Sequence, residues 1–107
     1  MAEAGADIVV AHMGLTTGGD IGAETALSLQ DCIAPIDAMA KAARAVSKDV
    51  IVLCHGGPIS MPDDAAFILK ECHDCQGFYG ASSMERLPSE QALVAQMRAF
   101  TEIGEKP

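Results

Sequence analysis

The sequence has no tryptophan, one tyrosine and three phenylalanines, so Ala, Val, Ile, Leu and Met must fill whatever core it forms. Basic residues are scarce too: seven Lys and Arg stand against fifteen Asp and Glu, a formal charge of −8. A nucleic-acid groove or an anionic membrane surface needs clustered cations, and neither is an expected partner. No apolar run approaches the roughly 20 residues that cross a bilayer. The opening lacks the basic-then-apolar order of a secretory leader. These absences predict a cytoplasmic protein.

Four cysteines are present. Cys54 falls in an apolar strand pattern and Cys32 in a helical one, where both read as buried thiols of a reducing compartment. Cys72-His73-Asp74-Cys75 is a single C-x-x-C at the end of a predicted helix. A redox pair needs its first cysteine at a helix start, and a structural zinc needs two further ligands. No metal site is predicted.

What is present is enough for one domain: 107 residues, half of them hydrophobic, which argues against disorder. Residues 1–6 read as a helix end with Gly5 as its C-cap. Residues 7–12 form a strand that is apolar throughout, as in a parallel strand covered on both faces. A long loop, 13–27, follows, read either as a lid carrying Thr16-Thr17-Gly18-Gly19-Asp20 or as a surface loop. Ser28 caps the next helix with Asp31 three residues on. Leu29, Ile33, Ile36, Ala40 and Ala43 give that helix one buried face, and Pro35 predicts a kink or a start near Ala34.

Residues 49–55 are a second strand, closed by a Gly56-Gly57-Pro58 turn. Pro62 opens a helix with Asp63 and Asp64 in its first turn, and Phe67, Ile68 and Leu69 supply its packing. Residues 76–80 are a third strand. The last helix runs from about Pro88 to Ile103, with Leu93, Met97 and Phe100 on its packing face. The order β-α-β-α-β-α with short connections predicts an α/β fold with a parallel sheet.

In such folds ligand groups gather at the carboxyl ends of the strands. His12 and His55 each end a strand and are candidates for acid/base or ligand-orienting work, or for purely structural hydrogen bonds. Gly56 and Gly57, and the run Gly80-Ala81-Ser82-Ser83, have the small residues of a loop whose N–H groups surround a phosphate or carboxylate, or of tight turns alone. Arg86 suits a bidentate anion contact or an ion pair with Glu85 or Glu90. Glu85 reads as a general base or as a helix-start carboxylate.

Three ordered motifs carry a resemblance: 12–19 (His-Met-Gly-Leu-Thr-Thr-Gly-Gly), 55–58 (His-Gly-Gly-Pro) and 77–88 (Gly-Phe-Tyr-Gly-Ala-Ser-Ser-Met-Glu-Arg-Leu-Pro). From about Ala2 to Phe100 the chain resembles the phosphoenolpyruvate hydrolase-like TIM-barrel proteins. These are also described as TIM-barrel signal-transduction proteins and occur as a C-terminal domain in some plant virus-resistance proteins. The resemblance implies the C-terminal fragment of a TIM (β/α)8 barrel, its last three βα units, with residues 1–107 as one partial domain. It places the phosphate-type site in the last two strand-end loops and implies Mg²⁺ by analogy with mutase relatives.

The function implied is part of an enzyme that binds a small phosphorylated or carboxylated compound such as phosphoenolpyruvate or phosphonopyruvate. His12, His55 and Glu85 would be the acid/base groups. Gly56, Gly57, Gly80, Ala81, Ser82, Ser83 and Arg86 would hold the anion, with Thr16 and Thr17 above it. The alternatives are a non-catalytic ligand-sensing or signal-transduction domain, and an inactive truncated fragment. Three strands cannot close a barrel, so the exposed inner face predicts a homo-oligomer, or else a flat sheet covered on both sides by its own helices.

Overall fold

The computed structural model describes residues 1–15 and 27–104. A short 3-10 turn, Ala2–Ala4, ends at Gly5 in the left-handed conformation. It leads into β1 (Ile8–His12), α1 (Leu29–Val46), β2 (Ile51–His55), α2 (Pro62–Glu71), β3 (Gly77–Phe78) and α3 (Arg86–Thr101). The three strands form one parallel sheet in the order β1-β2-β3. The α/β class and the alternation of strand and helix are as the sequence implies.

The first two α-helices start where a side chain meets backbone N–H groups. Ser28 Oγ accepts from the Asp31 N–H while the Asp31 carboxylate accepts from the Ser28 N–H. At α2 the Asp64 carboxylate accepts from the Ser60 and Met61 amides, with Pro62 in the first turn. The late start near Ala34 does not occur: α1 runs from Leu29 to Val46 with Pro35 inside it. An interior proline costs about 3 kcal/mol. Here the capping box behind it and the fully buried Cys32 and Ile36 on either side offset that cost.

The strand pattern misleads about coverage. β1 and β2 pair in register, with Ile8, Val10 and His12 opposite Ile51, Leu53 and His55. Their alternate residues, Val9 and Ala11 opposite Val52 and Cys54, turn toward α1 and α2 and enter the core. The other face is open: Ile8, Val10 and Ile51 are all exposed. The sheet is covered on one side only, so the flat sheet wrapped on both sides is not what forms.

The core lies between the sheet and α1 and α2, around Ile36, Cys54, Ile59 and Ile68. At the amino end of the sheet, Gln76 substitutes for a strand residue. Its N–H donates to the Val52 carbonyl and its side-chain oxygen accepts from the Val52 N–H, both at 2.8 Å. Arg44 donates to the same Gln76 oxygen at 2.7 Å and pairs with Asp74 at 2.9 Å.

The last helix departs furthest from expectation. It begins at Arg86, two residues before Pro88, and buries only Leu87. Leu93, Met97 and Phe100, expected to pack, are 71%, 66% and 62% exposed. Among the described residues α3 makes no substantial packing with another element. The molecule is consequently elongated, 71 × 24 × 22 Å. Third-strand pairing is also shorter than expected, limited to Gly77 and Phe78 against Leu53 and Cys54.

Candidate functional site

Parallel pairing brings the last residues of β1 and β2 side by side, because His12 opposes His55. The Tyr79 N–H donates to the Cys54 carbonyl at 2.9 Å, which carries the ladder one residue past β3 and sets Tyr79 beside His55. Three rings therefore form a row across the carboxyl ends of the strands. The His12 and His55 centroids are 4.7 Å apart, those of His55 and Tyr79 5.0 Å, both pairs edge to face. His12 and Tyr79 are exposed and His55 is half-buried.

The two histidines present different nitrogens. The Gly14 N–H donates to His12 Nδ1 at 3.0 Å, so Nδ1 is the bare nitrogen and Nε2 carries the hydrogen. His55 Nδ1 lies 2.7 Å from the Tyr79 carbonyl oxygen, which can only accept, so Nδ1 carries the hydrogen and Nε2 offers its lone pair. The row thus holds one N–H donor and one basic nitrogen.

Backbone from two loops crosses behind it. The Met13 N–H donates to the His55 carbonyl and the Gly57 N–H to the Gly14 carbonyl, each at 2.8 Å. Gly56 and Gly57 have φ of +81° and +60°. A Cβ on Gly56 would lie 2.1 Å from the Gly14 oxygen, and one on Gly57 2.4 Å from the Met13 oxygen. Only glycine fits this crossing, which explains the pair without a ligand and commits the Gly57 N–H to protein.

The 80–83 run is placed differently. Ala81 accepts from the Met84 and Glu85 amides and Ser82 from the Leu87 amide, so its carbonyls close the turn into α3. Among the described residues no acceptor takes the N–H groups of Gly80, Ala81, Ser82 or Ser83. This half-buried run follows Tyr79 directly and is the donor-rich part of the rim. Arg86 pairs with Glu90 at 2.6 Å, the alternative its sequence position had left open. Glu85 is exposed at the cap of α3. Thr16 and Thr17 lie outside the described residues.

Cys54 alternates with His55 and points the other way, into the core. Burial, with the neighbouring Cys75 next, pushes its thiol up to about 12, and burial first and Asp37 next raise Cys72 to about 11. Burial also raises Cys32. Raised in this way, the thiols of Cys32, Cys54 and Cys72 are poor nucleophiles. Among the described residues no three His, Cys, Asp or Glu side chains converge to hold a metal, so the implied Mg²⁺ has no carboxylate set here. No helix among them is long and apolar enough to cross a membrane.

Sequence reading singled out neither Tyr79 nor Gly14. Tyr79 was legible in principle, since a residue next to an inward Phe78 shares the face of His55. Gly14 acts through backbone alone and leaves no such signal.

Parallel βα units with polar rings gathered at one rim define an α/β protein. The chain belongs to the phosphoenolpyruvate hydrolase-like family, which residues 1–103 match. It is 58% identical over 104 residues to two proteins of Solanum lycopersicum, "ToMV susceptible protein tm-1(GCR26)" and "ToMV resistance protein Tm-1(GCR237)". It is 31% identical over 103 residues to "Putative transcriptional regulatory protein y4pA" of Sinorhizobium fredii. These matches take in 96–97% of this chain but only 14% of each tomato protein and 17% of the bacterial one.

Proposed function

We propose that these residues are the closing three βα units of a TIM barrel, one partial domain, and that the rim they carry is part of a site for a small phosphorylated or carboxylated compound of the phosphoenolpyruvate type. The observation that carries this reading is the His12–His55 pair, locked in complementary hydrogen-bonding states beside a run of unspent N–H groups. The Nε2–H of His12 donates to a carboxylate or phosphate oxygen. The 80–83 amides surround the anion without requiring net positive charge, which suits an acidic chain. His55 Nε2 receives a proton from water or substrate. Glu85 and the Arg86–Glu90 pair border this region without touching either histidine.

Hydrolysis belongs to a complete barrel mouth; the chain by itself binds and does not turn over. The test follows the His12 and His55 ring resonances by NMR while phosphoenolpyruvate is added, with inorganic phosphate and pyruvate as separate probes. Both rings and the 80–83 amides shift together at millimolar phosphoenolpyruvate, and His55→Ala abolishes the response. Rings that stay unmoved by all three probes overturn the reading. A protein carrying the whole barrel then separates enzyme from sensor: turnover lost in His55→Ala supports catalysis. Binding without turnover supports a sensing domain, the direction in which the regulatory name of the bacterial relative points.

A further inference from the structure

We infer that the rim selects a 2-hydroxy acid carrying a second anionic group, laid along the row of rings. The inference rests on the reading of the rim as an anion site and names what that site accepts. The order of the strands carries it. Because β2 lies between β1 and β3, the rim groups come in a fixed sequence: the Nε2–H of His12, the bare Nε2 of His55, then the N–H groups of residues 80–83. Across the sheet the row runs donor, acceptor, donor.

Backbone holds each ring in its role. The Gly14 N–H occupies His12 Nδ1 at 3.0 Å and the Tyr79 carbonyl occupies His55 Nδ1 at 2.7 Å. Neither histidine can exchange donor for acceptor at Nε2 without losing one of these hydrogen bonds. His55 is also flanked by His12 and Tyr79, both edge to face, which fixes its ring plane.

A ligand complementary to this row runs acceptor, donor, acceptor. A lone carboxylate has acceptors only and would set a lone pair against that of His55 Nε2. A hydroxyl between two anionic groups supplies the missing donor. Its O–H donates to His55 Nε2, one anion accepts from His12, and the other accepts from the 80–83 amides. Phosphoenolpyruvate carries two anionic groups but no hydroxyl, so a water must stand between it and His55; a hydroxy acid fills that place directly. Spacing points the same way. The ring centroids are 4.7 and 5.0 Å apart along the row. With hydrogen bonds of about 2.8–3.0 Å, the two ends lie beyond the reach of one carboxylate but within that of a chain of about three or four atoms. Val10 and Leu53, the next register pair on the same face, lie under the histidines and give the link between the anions an apolar floor.

Titrations of the whole chain, followed by the ring resonances of His12 and His55 and the 80–83 amides, test this. The probes are malate, 3-phosphoglycerate, succinate, lactate and phosphoenolpyruvate. Succinate is malate without the hydroxyl, and lactate lacks the second anion. Malate or 3-phosphoglycerate shifts both rings and the amides together, and binds about tenfold more tightly than succinate and lactate, the loss expected when a hydrogen bond is removed and its partner left unpaired. The His55 Nε2 resonance moves with the hydroxy acid and not with succinate, a signature that a merely structural ring would not give. Succinate binding as tightly as malate, while phosphoenolpyruvate still moves rings and amides, would overturn this inference and leave the phosphoenolpyruvate reading standing. Rings and amides unmoved by every probe would overturn both.

Discussion

Replacing Gly56 with alanine tests the loop crossing on which the histidine pair depends. At φ +81° a side chain costs about 1–2 kcal/mol. The new Cβ would sit 2.1 Å from the Gly14 oxygen, so the 13–14 segment must retreat. That retreat breaks the Gly57–Gly14 and Met13–His55 hydrogen bonds, worth about 1 kcal/mol each. The expected loss is about 3–4 kcal/mol, a large share of the roughly 5–15 kcal/mol that holds a domain together. Gly5→Ala is the control: φ is +92° but nothing lies within 4 Å of the added Cβ, so only the conformational cost of about 1 kcal/mol applies. Urea unfolding followed by circular dichroism measures both. Because Gly14 also donates to His12 Nδ1, the Gly56 variant should in addition move the His12 ring resonances, which Gly5→Ala leaves in place. Equal destabilisation by the two substitutions would refute the argument.

Other outcomes follow from the core and the caps. Cys54 and Cys72 ionise in the unfolded chain near the ordinary 9.0 but only at about 12 and 11 in the folded one. The stability this represents is fully present below pH 9 and drains away as pH rises above it, by up to about 1.4 kcal/mol per pH unit and thiol. Urea midpoints measured from pH 8 to 10 should fall; a flat profile would contradict the buried-thiol assignment. Ser28→Ala removes half of the capping box and should cost about 1 kcal/mol by the same assay, while leaving the phosphoenolpyruvate response intact.

The element order, the cap at Ser28, the acidic first turn of α2 and the strand-end placement of both histidines were legible because each rests on local chemistry. Coverage of the sheet was not. Ile8-Val9-Val10-Ala11 and Ile51-Val52-Leu53-Cys54 are apolar on both faces, so alternation cannot tell an open face from a closed one. A start near Ala34 was the wrong alternative at Pro35 because propensity weighs a residue by itself, whereas the capping box at Ser28 and the buried Cys32 and Ile36 carry the helix through. The stripe on α3 is apolar as expected, yet nothing local shows that it stays exposed. Of the residues read as an anion cradle, the Gly56-Gly57 pair and the 80–83 run look alike in sequence. They separate only when Gly14 is seen to occupy the Gly57 amide.

The Gln76–Arg44–Asp74 cluster fastens the sheet at the end away from the rings. The polar anchor and the row of rings thus sit at opposite poles of the strands. Rim side chains can therefore be exchanged while the floor beneath keeps its footing.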